Sequence, residues 1–314
     1  MGRMTFVVHR ILMLVPVAIG VTIIVFFMIH LIPGDPARTI LGIHATPRAV
    51  AILHRQWGLN QPLVSQYWLF MDRLVHGNLG QSLFYGAPAA SLILTRVPAT
   101  LWLVGYAAVL AIVISVPLAM IAASRKDGIR DHLVRAIPLL GLGMPSFWLG
   151  ILLIYALAIN THLFPVSGYG TGFGGHLHAM FLPALTVAIA LAPVVIRSLR
   201  ASMLNVLGAE YITTARAKGV PARRLFARHV LRNAVIPAVT VLGINIGFLI
   251  GGTVVIENVF AIPGIGQLMI NSILQRDFPV VQGVTLVFGV LVVLVNLLAD
   301  LSYAALDPRV RFDR

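Results

Sequence analysis

The chain has no cysteine and little charge: Asp, Glu, Lys and Arg together make up 11% of its 314 residues. Without thiols there are no disulfides, thiolate metal sites or cysteine nucleophiles, and the redox compartment stays open. A soluble domain carries about 25% charged residues, so an ordinary soluble enzyme is excluded. Lysine is scarcer still. A phosphate-binding loop needs G-x-x-x-x-G-K-[ST], and the only lysines, Lys126 and Lys218, follow Arg125 and Ala217. The chain therefore cannot hold ATP by that motif. Runs of about ten residues with alternating polarity are also missing, which favours a helical bundle over a membrane barrel.

What is abundant is apolar sequence, 59% of the chain, with a mean hydropathy of +0.93. A bilayer core about 30 Å thick needs ~20 apolar residues per helix. Six runs meet that need, at 11–29, 99–123, 136–159, 179–196, 234–256 and 280–299, and none contains Asp, Glu, Lys or Arg. The expected fold is an all-α membrane protein with six transmembrane helices. The first run follows Arg3 and Arg10 as a signal peptide would. Its 19 uncharged residues exceed a usual signal core, and Pro33-Gly34-Asp35-Pro36 follows instead of a cleavage site, so it reads as a retained helix. Ion-coupled transport calls for ionisable residues within the membrane. Their absence from the six runs implies that any driving energy enters from outside the chain.

The net charge of +13 is set by topology rather than by nucleic acid. Of 23 Lys and Arg, 17 fall in the N-terminus, the second and fourth loops and the C-terminus, against 6 in the other loops. That bias places both termini and the even loops in the cytoplasm. The chain divides into 1–32 (N-terminus and first helix), an external helical subdomain at 33–97, and a five-helix core at 98–314 that contains a basic loop at 200–233. In the external loop, Thr46-Pro47 reads as an N-cap and first turn opening a helix to about Trp57, and "GLNQPLVSQYWLFMDRLVHGNLGQS" gives a second helix ending near Gly77. The third loop is short and Gly-rich. The fifth, "ENVFAIPGIGQLMINSILQRDFP", joins a Pro-Gly turn to an apolar helical stretch suited to the outer membrane face.

Small residues at four-residue spacing mark contact faces between membrane helices. Gly243, Gly247 and Gly251 form two GxxxG steps in the fifth helix, with Asn245 between them. They serve either close packing or a helix that lines a passage. His162, His176 and His178 sit around the third loop, where they could chelate a metal or remain solvated. A channel lined by Thr240, Asn245, Thr253 and Asn296 is another possibility. An intramembrane hydrolase is disfavoured, because Ser115 and Ser146 have no histidine within the six runs and Asp300 is alone at a helix end.

The basic stretch "EYITTARAKGVPARRLFARHVLRN" holds six of the 23 Lys and Arg. It reads as a helix from about Met203 to Lys218, with Leu204, Leu207, Tyr211 and Ala215 on one face. Gly219 serves as a left-handed cap and Pro221 as the start of a second helix. There Arg224, Arg228 and Arg232 form one stripe, and Phe226 and Val230 another. Such a pair can lie on anionic headgroups or dock a partner. Glu210, one of two glutamates in the chain, gains nothing from a headgroup surface.

The same stretch, continued to "NAVIP", resembles the cytoplasmic coupling loop of ABC-importer permeases in the dipeptide, oligopeptide and nickel permease family. The likeness runs along the whole chain through "HLIPGDPAR", "GLNQPLVSQYW", "HGNLGQS", "GMPSFWLG", "IENVFAIPGIG" and "DLSYAALDPRVR". It implies a type I importer permease of a bacterial cytoplasmic membrane, with no cofactor of its own. ATP and Mg would sit on two separate ATPase subunits that dock at the loop. A second homologous permease, usually a different chain, and an external solute-binding protein complete the implied assembly. Glu210, Tyr211, Ala215, Arg216, Ala217, Lys218 and Gly219 match the core of the docking motif, and His229, Leu231, Arg232 and Asn233 its second half. Thr213-Thr214-Ala215 replaces the Glu-Ala-Ala of the wider superfamily. Asn60 and Asn78 stand where the family commonly has aspartate, which removes two outer charges. The implied cargo is a di- or oligopeptide, with nickel or glutathione as alternatives.

Overall fold

The computed structural model describes residues 3–306 apart from Ile32, Pro33 and Leu83; the last part of "DLSYAALDPRVR", from Asp307, lies outside them. α1 (Arg3–His30) is followed by three short helices, α2 (Pro36–Leu41), α3 (Pro47–Trp57) and α4 (Leu63–Val75). Thr46 Oγ1 accepts from the Ala49 N–H at 3.2 Å, capping α3 as expected. α2 was not anticipated; Asp35 caps it by accepting from Ala37 N–H at 3.0 Å. Polar contacts fasten α4 to the bundle. The hydroxyls of Thr22 and Tyr67 lie 2.8 Å apart, and His30 bridges the Phe26 carbonyl and the Gln66 side-chain oxygen. Gln282 Nε2 donates to the Val25 carbonyl at 2.8 Å and ties α1 to the last helix.

α5 (Ala89–Ser124) leads by a tight turn into α6 (Ile129–Gly143) and α7 (Ser146–Leu153), which ends in a π-helical turn at Ile154–Ile159. The third apolar run is thus broken. Pro145 bars the residue before it from helical geometry, and Met144 is extended, with φ −92° and ψ 132°. α8 (Gly172–Ala179) gives the Gly-rich loop a short helix of its own, and α9 (Phe181–Leu207) follows. α10 (Glu210–Ala217) and α11 (Ala222–Arg224), with a π-helical segment at Leu225–Leu231, lead into α12 (Arg232–Val259). α13 (Ile265–Leu274) and α14 (Phe278–Leu306) complete the bundle.

Among the described residues, three helices are long and apolar enough to cross a membrane: Ala89–Ser124, Phe181–Leu207 and Phe278–Ala299. The fifth run is bent by 54° between Val241–Gly247 and Leu249–Val259, and counts as a fourth span if taken as one. Glycines at 247, 251 and 252 surround the bend, a usual cause of kinks. Leu12–Met28 and Ser146–Ile159 are shorter apolar helices. Of the six uniform spans read from hydropathy, the third is therefore broken at Pro145 and the fifth is bent, while the first lies within the 28-residue α1.

α5, α9 and α12 form the centre of the bundle. At one end Ala119, Leu191, Val195, Leu199, Met203 and Leu242 are buried together; at the other Leu103, Leu182, Ile256 and Phe260 are.

Candidate functional site

The basic stretch forms a hairpin on the end of α9. The expected single helix from Met203 to Lys218 is broken: α9 stops at Leu207, Gly208 turns, and Ala209 is extended at ψ 143° before α10 begins at Glu210. Glu210 is exposed in the first turn of α10, where a negative charge complements the helix dipole. The far end of α10 follows the expected cap closely. Gly219 has φ +75°, its N–H donates to Arg216 O at 2.9 Å, and the Val220 N–H donates to Ala215 O at 3.2 Å. This pair of bonds is a Schellman motif, which satisfies carbonyls left over at a helix end.

The second arm differs from the expected α-helical stripe. Because Leu225–Leu231 is π-helical, its turn is wider than 3.6 residues. Leu225 joins Val230 as fully buried, whereas Phe226 is only half-buried. Ile212, Leu225 and Val230 pack on Leu199 and Met203 of α9. The apolar side of the hairpin is thus covered by the bundle and unavailable for insertion between lipids. Its outer side exposes Glu210, Tyr211, Arg216, Ala217, Lys218 and Gly219, with Ala215 half-buried. His229 and Leu231 are half-buried on the second arm, and Arg232 and Asn233 are exposed. Asn233 Nδ2 donates to the Tyr211 hydroxyl at 3.2 Å and to the His229 carbonyl at 2.8 Å, joining the arms across the bend. Around the bend, Lys218, Arg224, Arg228 and His229 line a recess of about 520 Å³. That recess suits an acidic side chain or a helix C-terminus of a partner.

The glycines of α12 differ in how closely α14 approaches them. A Cβ at Gly243 would lie 2.1 Å from Ala299 Cβ, so this position is a packing contact with α14. At Gly247 the nearest atom would be Asn296 Oδ1 at 3.4 Å, and at Gly251 nothing lies within 4 Å. Gly247 and Gly251 border a largely apolar groove of about 1170 Å³ between α1, α12, α13 and α14. Asn245 Nδ2 turns back to the Val241 carbonyl at 2.7 Å, satisfied within its own helix.

The third-loop histidines do not converge. His176 Nδ1 contacts the Tyr169 carbonyl at 2.8 Å with its ring stacked on Tyr169, and His178 Nε2 contacts the Leu163 carbonyl at 2.9 Å. Both tether the loop. No group of three His, Cys, Asp or Glu residues able to hold a metal occurs among the described residues.

Two completely buried acidic side chains carry no mark in the hydropathy of the sequence. Glu257 was placed just past the fifth run, but α12 continues to Val259 and buries it completely. Its carboxylate accepts from Thr100 Oγ1 at 2.6 Å and from the N–H groups of Gly266 and Gln267 at 2.8 and 3.0 Å. Thr100 Oγ1 in turn accepts from Ile265 N–H at 3.0 Å. The N-terminus of α13 is thus capped by α5 and α12. A Cβ at Gly264 would lie 2.3 Å from this carboxylate, and one at Gly266 2.6 Å from Val254 Cα. That packing explains the glycines of "PGIG", and a glutamate placed ahead of such a turn is the signal that could have revealed it. The second is Asp131 of α6, fully buried and held by Arg200 of α9.

Residues 115–312 match the family described as binding-protein-dependent transport system inner membrane component, and residues 3–104 match its N-terminal family. The chain belongs to this family. The permease is 38% identical, over 98% of its length and 99% of theirs, to the glutathione transport system permease proteins GsiC of Escherichia coli (strain K12) and Shigella flexneri serotype 5b. Its fold is similar to a chain of the MetNI methionine ABC transporter in inward facing conformations, with TM-score 0.58 and 18% identity, covering 69% of the permease and 96% of that chain. A chain of an amino acid ABC transporter with histidines matches at TM-score 0.51 and 16% identity, over 68% and 94%. The permease is a multi-pass inner-membrane subunit of an ABC importer, the dipeptide, oligopeptide and nickel permease family recognised in its motifs. Membership implies ATPase and substrate-binding partners.

Proposed function

We propose that the permease moves short peptides, glutathione among them, across the cytoplasmic membrane, driven by ATPase subunits that dock on the 210–233 hairpin. The observation that carries this reading is the hairpin itself. Ile212, Leu225 and Val230 are buried with Leu199 and Met203 of α9, so the exposed Glu210, Arg216, Lys218 and basic recess remain for a protein partner. The chain lacks a phosphate-binding loop of its own, so such a partner has to supply the energy.

Both termini and the hairpin face the cytoplasm in this scheme, with the 33–97 helices outside beside a solute-binding protein. A second, non-identical permease completes the path, and nucleotide-driven closure of the ATPases shifts the helices between two states. Glutathione is a tripeptide, so the likeness to GsiC and the peptide reading concern one chemical class. The test is uptake by the complete transporter in proteoliposomes, comparing labelled glutathione, a dipeptide and Ni²⁺. ATP-dependent uptake of glutathione or the dipeptide is expected; uptake of Ni²⁺ alone would overturn the assignment of cargo.

A further inference from the structure

Asp131 stands two residues into α6 and is completely buried. Arg200 of α9 grips it with both arms of its guanidinium, Nε to Oδ1 at 2.6 Å and Nη2 to Oδ2 at 2.5 Å. The Asp127 N–H adds a donor at 3.0 Å and Arg135 Nε lies 3.7 Å away. A two-point fork of this kind fixes orientation as well as distance, which a single ammonium contact does not. Removing one partner leaves an uncompensated buried charge.

The position of the fork gives it a role beyond holding two helices together. Arg200 lies one to two turns before α9 ends at Leu207, and its neighbours Leu199 and Met203 carry the buried side of the hairpin, Ile212, Leu225 and Val230. One short length of α9 therefore meets the hairpin on one side and α6 on the other. α6 in turn runs directly to the break at Met144-Pro145. Ala122, Val134, Ala192 and Ile196 pack α5, α6 and α9 together at this same end. Apolar packing can slide, whereas the fork cannot without breaking.

We infer that the Asp131–Arg200 fork is the joint through which displacement of the 210–233 hairpin is passed from α9 to α6 and the Pro145 break. Asp131 and Arg200 are then positioning residues for transport. This rests on the docking reading above, and the experiment separates the two.

The complete transporter is prepared with Asp131→Asn, Arg200→Lys and the exchanged pair Asp131→Arg with Arg200→Asp, and substrate transported per ATP hydrolysed is measured in proteoliposomes. Co-purification of the ATPase subunits is scored in parallel. Both single variants are expected to retain the ATPase subunits and to hydrolyse ATP while transport per ATP falls about tenfold, a size usual for coupling between sites. The exchanged pair is expected to recover part of it. A purely structural contact would lower yield and melting temperature but leave transport per ATP at the wild-type value in the folded fraction. That result in Arg200→Lys, which keeps the charge should Asp131→Asn fail to fold, would overturn the joint. Failure of the wild-type chain to retain ATPase subunits would instead sink the docking reading.

Discussion

The side chain of Asn233 reaches the Tyr211 hydroxyl at 3.2 Å, joining residues on opposite arms of the hairpin. Asn233 also holds the His229 carbonyl at 2.8 Å, so it braces the π-helical segment from within. An extra residue per turn leaves backbone groups imperfectly paired, and the amide compensates one of them. Replacing Tyr211 by Phe removes one exposed hydrogen bond, worth about 0.5–1.5 kcal/mol. Tyr211→Phe is expected to insert and assemble normally but to transport less per ATP; Asn233→Ala, which loses both contacts, is expected to be the weaker transporter. Equal, wild-type transport by both would show that the brace has no role.

Gly219 is where the hairpin tolerates least change. At φ +75° an L side chain is strained by roughly 1–2 kcal/mol. Proline at this position would also remove the N–H that donates to Arg216 O at 2.9 Å. Gly219→Ala is expected to weaken transport moderately and Gly219→Pro to abolish it, with membrane insertion intact in each. Uptake assays on membranes carrying equal amounts of each variant check this.

In α12, Gly243 and Gly251 should respond differently to the same substitution. Gly243→Ala places a methyl 2.1 Å from Ala299 Cβ, whereas Gly251→Ala meets open space. The first is expected to lower the melting temperature of the detergent-solubilised chain, with part of the loss restored by Ala299→Gly. The second is expected to be near neutral. A neutral Gly243→Ala would mean that α12 and α14 do not approach closely.

Glu257 is engaged as an acceptor by all three of its partners. Glutamine keeps only one oxygen as acceptor, so in Glu257→Gln the amide NH2 faces Thr100, whose hydroxyl has to give up its donation. A loss of about 1–3 kcal/mol is expected, with Glu257→Ala worse because it leaves a cavity as well. Thermal unfolding of the two variants gives the comparison.

The pH behaviour of the Asp131–Arg200 pair follows from its sign. Hydrogen bonds from Arg200 hold the Asp131 carboxyl down to about 2, below the ordinary value near 3.9. A depressed carboxylate contributes stability that is fully present above its unfolded value and is lost as pH falls towards its folded one. The melting difference between wild type and Asp131→Asn should therefore be constant from about pH 5 to 8 and shrink only below about pH 4. A difference that changed steeply near neutrality would place the pair in another environment.

Local chemistry made parts of this fold readable in advance. Thr46-Pro47 and Lys218-Gly219-Val220-Pro221 carry their geometry in residue type, and the structure places a cap at each. The break at Gly208-Ala209 had no such mark, because Gly208 stays near helical angles and only Ala209 turns out. Apolar spacing therefore ran unbroken through it. The π-helical segment was hidden for a related reason: a 3.6-residue stripe assigned Phe226 where the wider turn buries Leu225. Pro145 was visible but lay inside a long apolar run that hydropathy alone treats as continuous. Glu257 and Asp131 were missed because their partners, Thr100 and Arg200, come from helices distant in sequence. Such burial arises only once the bundle is assembled.

The docking role of the hairpin is open to one direct measurement, made simple by the absence of native cysteine. A single cysteine at Ala217, exposed beside the basic recess, is introduced into the assembled transporter, and its cross-linking to lysines of the ATPase subunits through a thiol-to-amine reagent with a disulfide in its spacer is followed with and without nucleotide. A specific cross-link that blocks ATP-dependent uptake, and is reversed by reduction, is expected. No cross-link at Ala217, together with undiminished uptake by Gly219→Pro, would contradict the docking role.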